Sequence, residues 1–425
     1  MSALRALPFA CALSACTPGG GGSRGEDADA RAADASTAAD ADVQDTAVQD
    51  SGPGPDAAPE GGVVDAALRD DAALADAALA DRGPADASAP DATVQCTAPL
   101  PAYLAPDVML VVDTSGSMVS NRWDHDRDAQ TPAVTRWAST YRALGEVLTP
   151  FAPSARVGLQ RFPSALACPQ RNACYNMDAC VTSPTPEVGL APDNRAAILA
   201  ALPGELAAED AIKGATPASA GVRSALAELA AQGAGGRGAL VLVTDGAASC
   251  NPRLPFPDYL ETYDESLAPL VSAALADDGV STFVVGIAIP NAVVGAGLDG
   301  SPEANPFERL EALAVAGGNE RREEGVSARF YDAANEPQLV AHLTRIFETL
   351  TDPTVDLSRL PGEGLDPDLP LSLVAGGAEV PALQSCAEGD GWAWVSEGRS
   401  LRLCGSYLAA WRRGEGDFMI RYTCP

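Results

Sequence analysis

Lysine is almost missing from this chain. Of 425 residues only Lys213 is a lysine; 28 basic residues face 58 acidic ones, giving a formal charge of -30 and a pI near 4.2. That excludes nucleic acid and anionic membrane surfaces as electrostatic partners, because both require clustered basic side chains. Histidine is scarce too. His125 and His342 are the only two, and neither lies beside a plausible Ser or Cys nucleophile, so a hydrolytic triad has no base. The expectation is a chain that is not an enzyme; the rival is an exported hydrolase with an unrecognised site. Long apolar runs are absent as well, and no segment approaches the roughly 20 residues that span a bilayer as a helix.

The first 16 residues, "MSALRALPFACALSAC", have one Arg, a short apolar stretch and a small-residue end, the pattern of a secretory signal. Leu13-Ser14-Ala15-Cys16 resembles the lipobox of bacterial lipoproteins. The resemblance implies a lipidated Cys16 and, with Thr17 following, an exported protein anchored to the cell envelope at the bacterial outer membrane. Residues 17–94 are rich in Gly, Ala, Asp and Pro. From Glu26 to Asp91 there are 17 acidic and three basic residues, too polar to bury a core, so a disordered tether is expected. "GGSRG" here matches the GxSxG pattern of hydrolases, but no strand precedes it and the match is discarded.

From Cys96 onward apolar runs alternate with amphipathic stretches. Strands are expected at Val108–Val112, Val157–Phe162, 239–246, 281–289 and 329–333. Helices are expected around Trp137, Tyr141, Leu144 and Leu148, then over Ala218–Ala231, Ser266–Leu275, Leu310–Ala316 and Leu339–Leu350. Continuous Val/Leu/Ile strands between helices imply an α/β fold: a doubly wound, mostly parallel sheet with helices on both faces over 95–351. Beyond Thr351, "LPLSLV", "WAWVS", "SLRLC" and "FMIRYTC" alternate with period two, and 352–425 is expected to form a small antiparallel β-module with Phe418, Ile420 and Tyr422 on one face. Trp392, Trp394 and Trp411 are expected in its core.

"LVVDTSGSM" (110–118) places Asp113, Ser115 and Ser117 on one tight loop at the end of a buried strand, with Gly116 expected to permit the turn. Ligands of such sheets bind at those strand ends. "GATP" (214–217) offers Thr216, and "VTDG" offers Asp245 at the end of another strand. Hard oxygen donors suit Mg²⁺, Ca²⁺ or Mn²⁺ rather than Zn²⁺. With these five residues in order, the chain resembles the von Willebrand factor type A domain. The resemblance covers about 105–351. It implies a metal-ion-dependent adhesion site in which Asp113, Ser115, Ser117, Thr216 and Asp245 hold one Mg²⁺ (or Ca²⁺ or Mn²⁺), leaving a coordination position for a carboxylate of a protein partner. That makes the expected function divalent-metal-dependent protein binding, adhesive or scaffolding; a purely structural metal is the nearer alternative.

Three features depart from that pattern or suggest other ligands. Asp124, Asp126 and Asp128 alternate like a calcium loop, but Ala129 replaces the turn glycine and no Glu closes it. "GAGLDG" (295–300) fits GxGxxG, yet it leads into Ser301-Pro302 rather than a helix, so no nucleotide is expected. Cys168, Cys174 and Cys180 lack zinc-site spacing. With Cys96, Cys250, Cys386, Cys404 and Cys424 they make an even set in an exported chain, which reads as disulfides. Strand polarity divides them into 168/174/180/250 and 96/386/404/424, each group closing on itself.

Overall fold

A computed structural model describes residues 95–170, 174–233, 237–297, 300–357, 370–395 and 400–423, all within one of the chain's two compact units, Asp86–Pro425. Cys16, the tether, "GGSRG" and Cys424 lie outside the described residues. In chain order the elements are β1 (Gln95–Pro99), β2 (Asp107–Asp113), α1 (Ser117–Ser120), β3 (Arg122–Trp123), β4 (Val134–Thr135), α2 (Arg136–Phe151), β5 (Arg156–Phe162), β6 (Val188–Ala191) and α3 (Arg195–Ala201). Next come α4 (Ala218–Ala231), β7 (Gly238–Thr244), α5 (Asp258–Glu261), α6 (Leu267–Asp278), β8 (Ser281–Ile287), α7 (Pro306–Ala316), β9 (Tyr331–Ala333) and α8 (Glu336–Leu350). The last are β10 (Thr354–Asp356), β11 (Leu371–Ala375), β12 (Ala378–Val380), β13 (Ala382–Leu383), β14 (Gly391–Val395), β15 (Ser400–Cys404), α9 (Gly405–Arg412) and β16 (Phe418–Thr423).

The largest sheet has six strands in the order β6-β5-β2-β7-β8-β9. β2 lies at its centre because every one of its seven residues can be buried. Val108, Leu110 and Val112 pack on one face with Trp137, Leu144 and Leu148 of α2 and Leu343 and Phe347 of α8. Met109 and Val111 pack on the other with Val222 and Leu229 of α4, Val271 of α6 and Leu313 of α7. The period of two along a strand sends alternate side chains to opposite cores. Helix starts follow capping chemistry: Thr135 accepts the Ala138 amide at 3.1 Å and Asn335 that of Gln338 at 3.0 Å, satisfying N–H groups that have no partner inside the helix.

The fold class expected from the sequence is corrected here. A doubly wound, mostly parallel sheet does not describe the chain, which has mixed sheets. Two of its four sheets, β1-β16-β11-β12 and β3-β4, are antiparallel throughout. The sheet β10-β15-β14-β13 is antiparallel except between β13 and β14. The six-stranded sheet itself carries an antiparallel edge strand, β6. The physical reason is the connections: the strands after Thr351 are joined by short turns and loops rather than by βα crossovers, and such connections favour antiparallel neighbours, as in β11-β12 and β14-β15.

The boundary of the second body also differs from expectation. β1 falls in the span 95–351 expected to be α/β, but it pairs with β16 in the register Gln95↔Thr423 to Pro99↔Met419. Ala98 and Leu100 join Leu373, Leu401, Leu403, Phe418, Ile420 and Tyr422 in one core shared by the two four-stranded sheets. Trp392 and Trp411 are in that core, whereas Trp394 is 38% exposed. Trp411 arrives there on α9, and its indole donates to Pro101 O at 2.8 Å.

Candidate functional site

Asp113 ends β2 and is fully buried. Its Oδ1 accepts the Ser115 amide at 2.8 Å and its Oδ2 the Thr244 hydroxyl at 2.6 Å. Burial, then the nearby Asp245 carboxylate, pushes the Asp113 carboxyl up to about 7, against the hydrogen bonds from Ser115 and Thr244 that favour its charged form. The Ser115 and Ser117 hydroxyls lie 3.0 Å apart, and Ser117 Oγ donates to Asp245 Oδ1 at 2.6 Å. Asp245 Oδ2 accepts from Arg136 Nη1 at 2.8 Å; Arg136 Nη2 donates to Ala288 O at 3.2 Å. Thr114 points elsewhere: its hydroxyl donates to Pro163 O at 2.8 Å and its amide to Phe162 O at 2.7 Å, fastening the loop to the end of β5.

Thr216 is delivered by a separate loop. Lys213 N donates to Thr114 O at 3.1 Å and Gly116 N to Gly214 O at 3.0 Å, so that loop lies directly on the Asp113–Ser117 turn. Gly214 has φ +94°, and a Cβ there would sit 2.7 Å from Ala179 O. Only glycine takes both the conformation and the contact. Gly116, expected to be the residue that permits the turn, is ordinary helical backbone at φ -59° and ψ -30°. A Cβ at Gly116 would meet Gly214 O at an unstrained 3.6 Å. The tight glycine is in the neighbouring loop.

The five sequence-nominated residues thus gather at one end of the six-stranded sheet. Ser117, Thr216 and Asp245 line a cavity of about 240 Å³ with Arg136, Pro290, Val294 and Pro302. Two functional groups escaped the sequence reading. Arg136 opens α2, twenty residues from the turn, and no local motif marks it. Thr244 immediately precedes Asp245 in "VTDG" and was legible there as a hydroxyl on the same strand end. The set is five oxygen-bearing side chains, and the 3.0 Å between the Ser115 and Ser117 hydroxyls is a hydrogen bond. No group of three or more His, Cys, Asp or Glu side chains that could hold a metal is found among the described residues; the set is two carboxylates and three hydroxyls, with a guanidinium opposite Asp245.

The remaining candidates have local roles. Asp124 Oδ1 accepts the Arg127 amide, Asp126 the Asp128 amide and the Thr131 hydroxyl, and Asp128 the Gln130 amide, so these carboxylates cap turns. On α8, His342 has its Nε2 3.1 Å from Asp332 O of β9, and burial lowers its pKa. The described part of "GAGLDG" is loop, with Gly300 turning at φ +81°. Cysteines pair as Cys168–Cys174, Cys180–Cys250 and Cys386–Cys404, and Cys96 is also disulfide-bonded.

No protein-family model matches the chain, and no curated protein matches it. Among solved structures it is similar to the pilus adhesin SpaC from Lactobacillus rhamnosus GG, at 15% identity and TM-score 0.41 over 77% of this chain and 40% of that one. It is also similar to the PilB minor pilin from Streptococcus sanguinis, at 18% identity and TM-score 0.37, covering 60% and 63% of the two chains. A third is proximal thread matrix protein 1 from the mussel byssus, at 14% identity and TM-score 0.33, covering 60% and 48%. The chain therefore spans less than two thirds of the length of each, and likenesses this distant carry no functional argument. The expectation of a von Willebrand factor type A domain with a magnesium-bearing metal-ion-dependent adhesion site is corrected on these findings: no family match supports it, the structures found are described as pilus and thread proteins, and no acidic metal cluster is present among the described residues. The chain is assigned to no family.

Proposed function

We propose that this is an exported, non-catalytic protein of the cell envelope that adheres to or scaffolds a protein partner through the loop face around Asp113. Cys16 is its lipid anchor in this reading. The observation that carries the proposal is the convergence of Asp113, Ser115, Ser117, Thr216 and Asp245 from three separate loops. Such a set suits one small, hard divalent cation, which would supply positive charge for a carboxylate of the partner. Val294, an apolar side chain 39% exposed, lines the same cavity as Ser117, Thr216 and Asp245.

Calorimetric titration with Mn²⁺ and Ca²⁺ tests the reading. Asp113→Ala is expected to abolish binding while the circular dichroism spectrum is kept, because the variant loses a charged ligand and no backbone hydrogen bond of the sheet. Wild-type affinity in Asp113→Ala rules out the site. The Arg136–Asp245 ion pair favours a second reading, in which the oxygens are neutralised internally and the face is a rigid scaffold. No titratable binding of either ion by the wild-type chain selects that one.

A further inference from the structure

The loop that carries Thr216 is held from both sides by residues that each precede a cysteine. On one side Ala215 N donates to Ala179 O at 2.9 Å. On the other, Thr216 N donates to Ser249 Oγ at 3.2 Å and Ser249 N to Thr216 O at 2.9 Å. Ala179 precedes Cys180, Ser249 precedes Cys250, and Cys180 is bonded to Cys250 across 70 residues of sequence. The result is a closed ring: Ala179, Cys180, the disulfide, Cys250, Ser249, then the hydrogen bonds through Thr216 and Ala215 back to Ala179. Cys180, Cys250, Ala179 and Ala215 are all buried in one small cluster with Tyr259 and Leu260. Cys250 sits at φ +71°, a conformation disfavoured for a residue with a Cβ and found where surroundings over-determine the backbone.

We infer that the Cys180–Cys250 disulfide is the positioning device of Thr216. It fixes the distance between the two loops that clasp the Thr216 backbone, and through them the placement of one of the five oxygens. The bond acts on the site without touching it. The Cys168–Cys174 bridge, six residues apart on the same long loop, reaches the same buried cluster through Cys168, whose amide donates to Asp178 O at 3.1 Å, but neither of its cysteines adjoins a residue bonded to the Ala215 or Thr216 backbone, so it closes no ring around Thr216. Reduction of the first bridge should loosen the site while leaving the sheet intact, so the oxidising state of the compartment is built into the geometry. The effect on cation affinity rests on the proposed function; the effect on Thr216 itself does not.

The experiment compares the full chain with Cys180→Ala/Cys250→Ala and with Cys168→Ala/Cys174→Ala. Amide hydrogen exchange at Ala215, Thr216 and Ser249 is read without any metal present. It is expected to accelerate by more than about tenfold in the first variant, with β2 and β7 still protected, and to stay unchanged in the second. Mn²⁺ affinity is expected to fall at least about tenfold in the first variant only, the size of effect seen when groups behind a ligand are removed. Ser249→Ala, which keeps the disulfide and breaks one link of the ring, should reproduce the faster exchange at Thr216 even if the cysteine variant fails to fold. Unchanged exchange at these amides in a folded Cys180/Cys250 variant, or in Ser249→Ala, overturns the inference. A wild-type chain that binds no Mn²⁺ yet shows the exchange pattern upholds it and refutes only the cation reading.

Discussion

Replacing Arg136 by Met isolates what the guanidinium does for the buried carboxylates. The Arg136 side chain is 14% exposed and that of Asp245 is fully buried, with 2.8 Å between Nη1 and Oδ2. Met keeps most of the apolar stem but leaves Asp245 facing Asp113 without a compensating charge. Removing one partner of a buried ion pair costs about 3–5 kcal/mol. The lower end applies here, because Ser117 still donates to Asp245 and Asp113 can accept a proton near neutrality. Urea unfolding in chelator, followed by the fluorescence of buried Trp137, should therefore show a loss of about 3 kcal/mol. A cation that binds only the folded chain returns about 2.7 kcal/mol when present at about 100 times its dissociation constant, so the variant should approach wild-type stability in excess Mn²⁺. Its Mn²⁺ affinity should exceed that of the wild-type chain, since no guanidinium competes for Asp245. An Arg136→Met variant as stable as wild type in chelator would refute the buried-pair argument. A full loss that Mn²⁺ does not relieve would refute the claim that these oxygens can hold a cation.

Two further outcomes follow from local geometry. Gly214→Ala should lose about 2 kcal/mol or more, from a disfavoured positive φ and a Cβ only 2.7 Å from Ala179 O, and should perturb Thr216 two residues on; a thermal melt matching wild type refutes it. Burial holds the His342 pKa below 6.5, so the unfolded chain binds a proton more readily. Stability should fall as pH drops below about 6.5, and His342→Gln should reduce that slope in denaturant titrations between about pH 7 and 5.

Much of the chain's organisation was written locally. The continuous apolar run of β2, the helical spacing of Ala218–Ala231 and the hydroxyl-rich turn after Asp113 are each properties of a few adjacent residues, and each stands in the structure where the sequence placed it. The period-two stretches after Thr351 likewise became β11, β14, β15 and β16. The helix α9 between β15 and β16 was missed, as were β6 and α3, because each is short and its apolar pattern covers too few turns to stand out.

What only the tertiary structure decided is pairing. Nothing in "QCTAP" announces that β1 lies against β16 more than 300 residues later; strand partners are chosen by which edges remain open once the core has formed, and that is a property of the whole chain. The overall class went wrong for the same reason. Strand direction is set by connections and edges, and local patterning shows neither that β1 closes on β16 nor that β6 joins the six-stranded sheet antiparallel. Arg136 was invisible because opposite charges find each other through space, across 109 residues here. Residue chemistry fixed which side chains could form a site; the fold fixed that a guanidinium would share it and that a disulfide would hold the loop behind it, because both depend on distances that sequence separation does not encode.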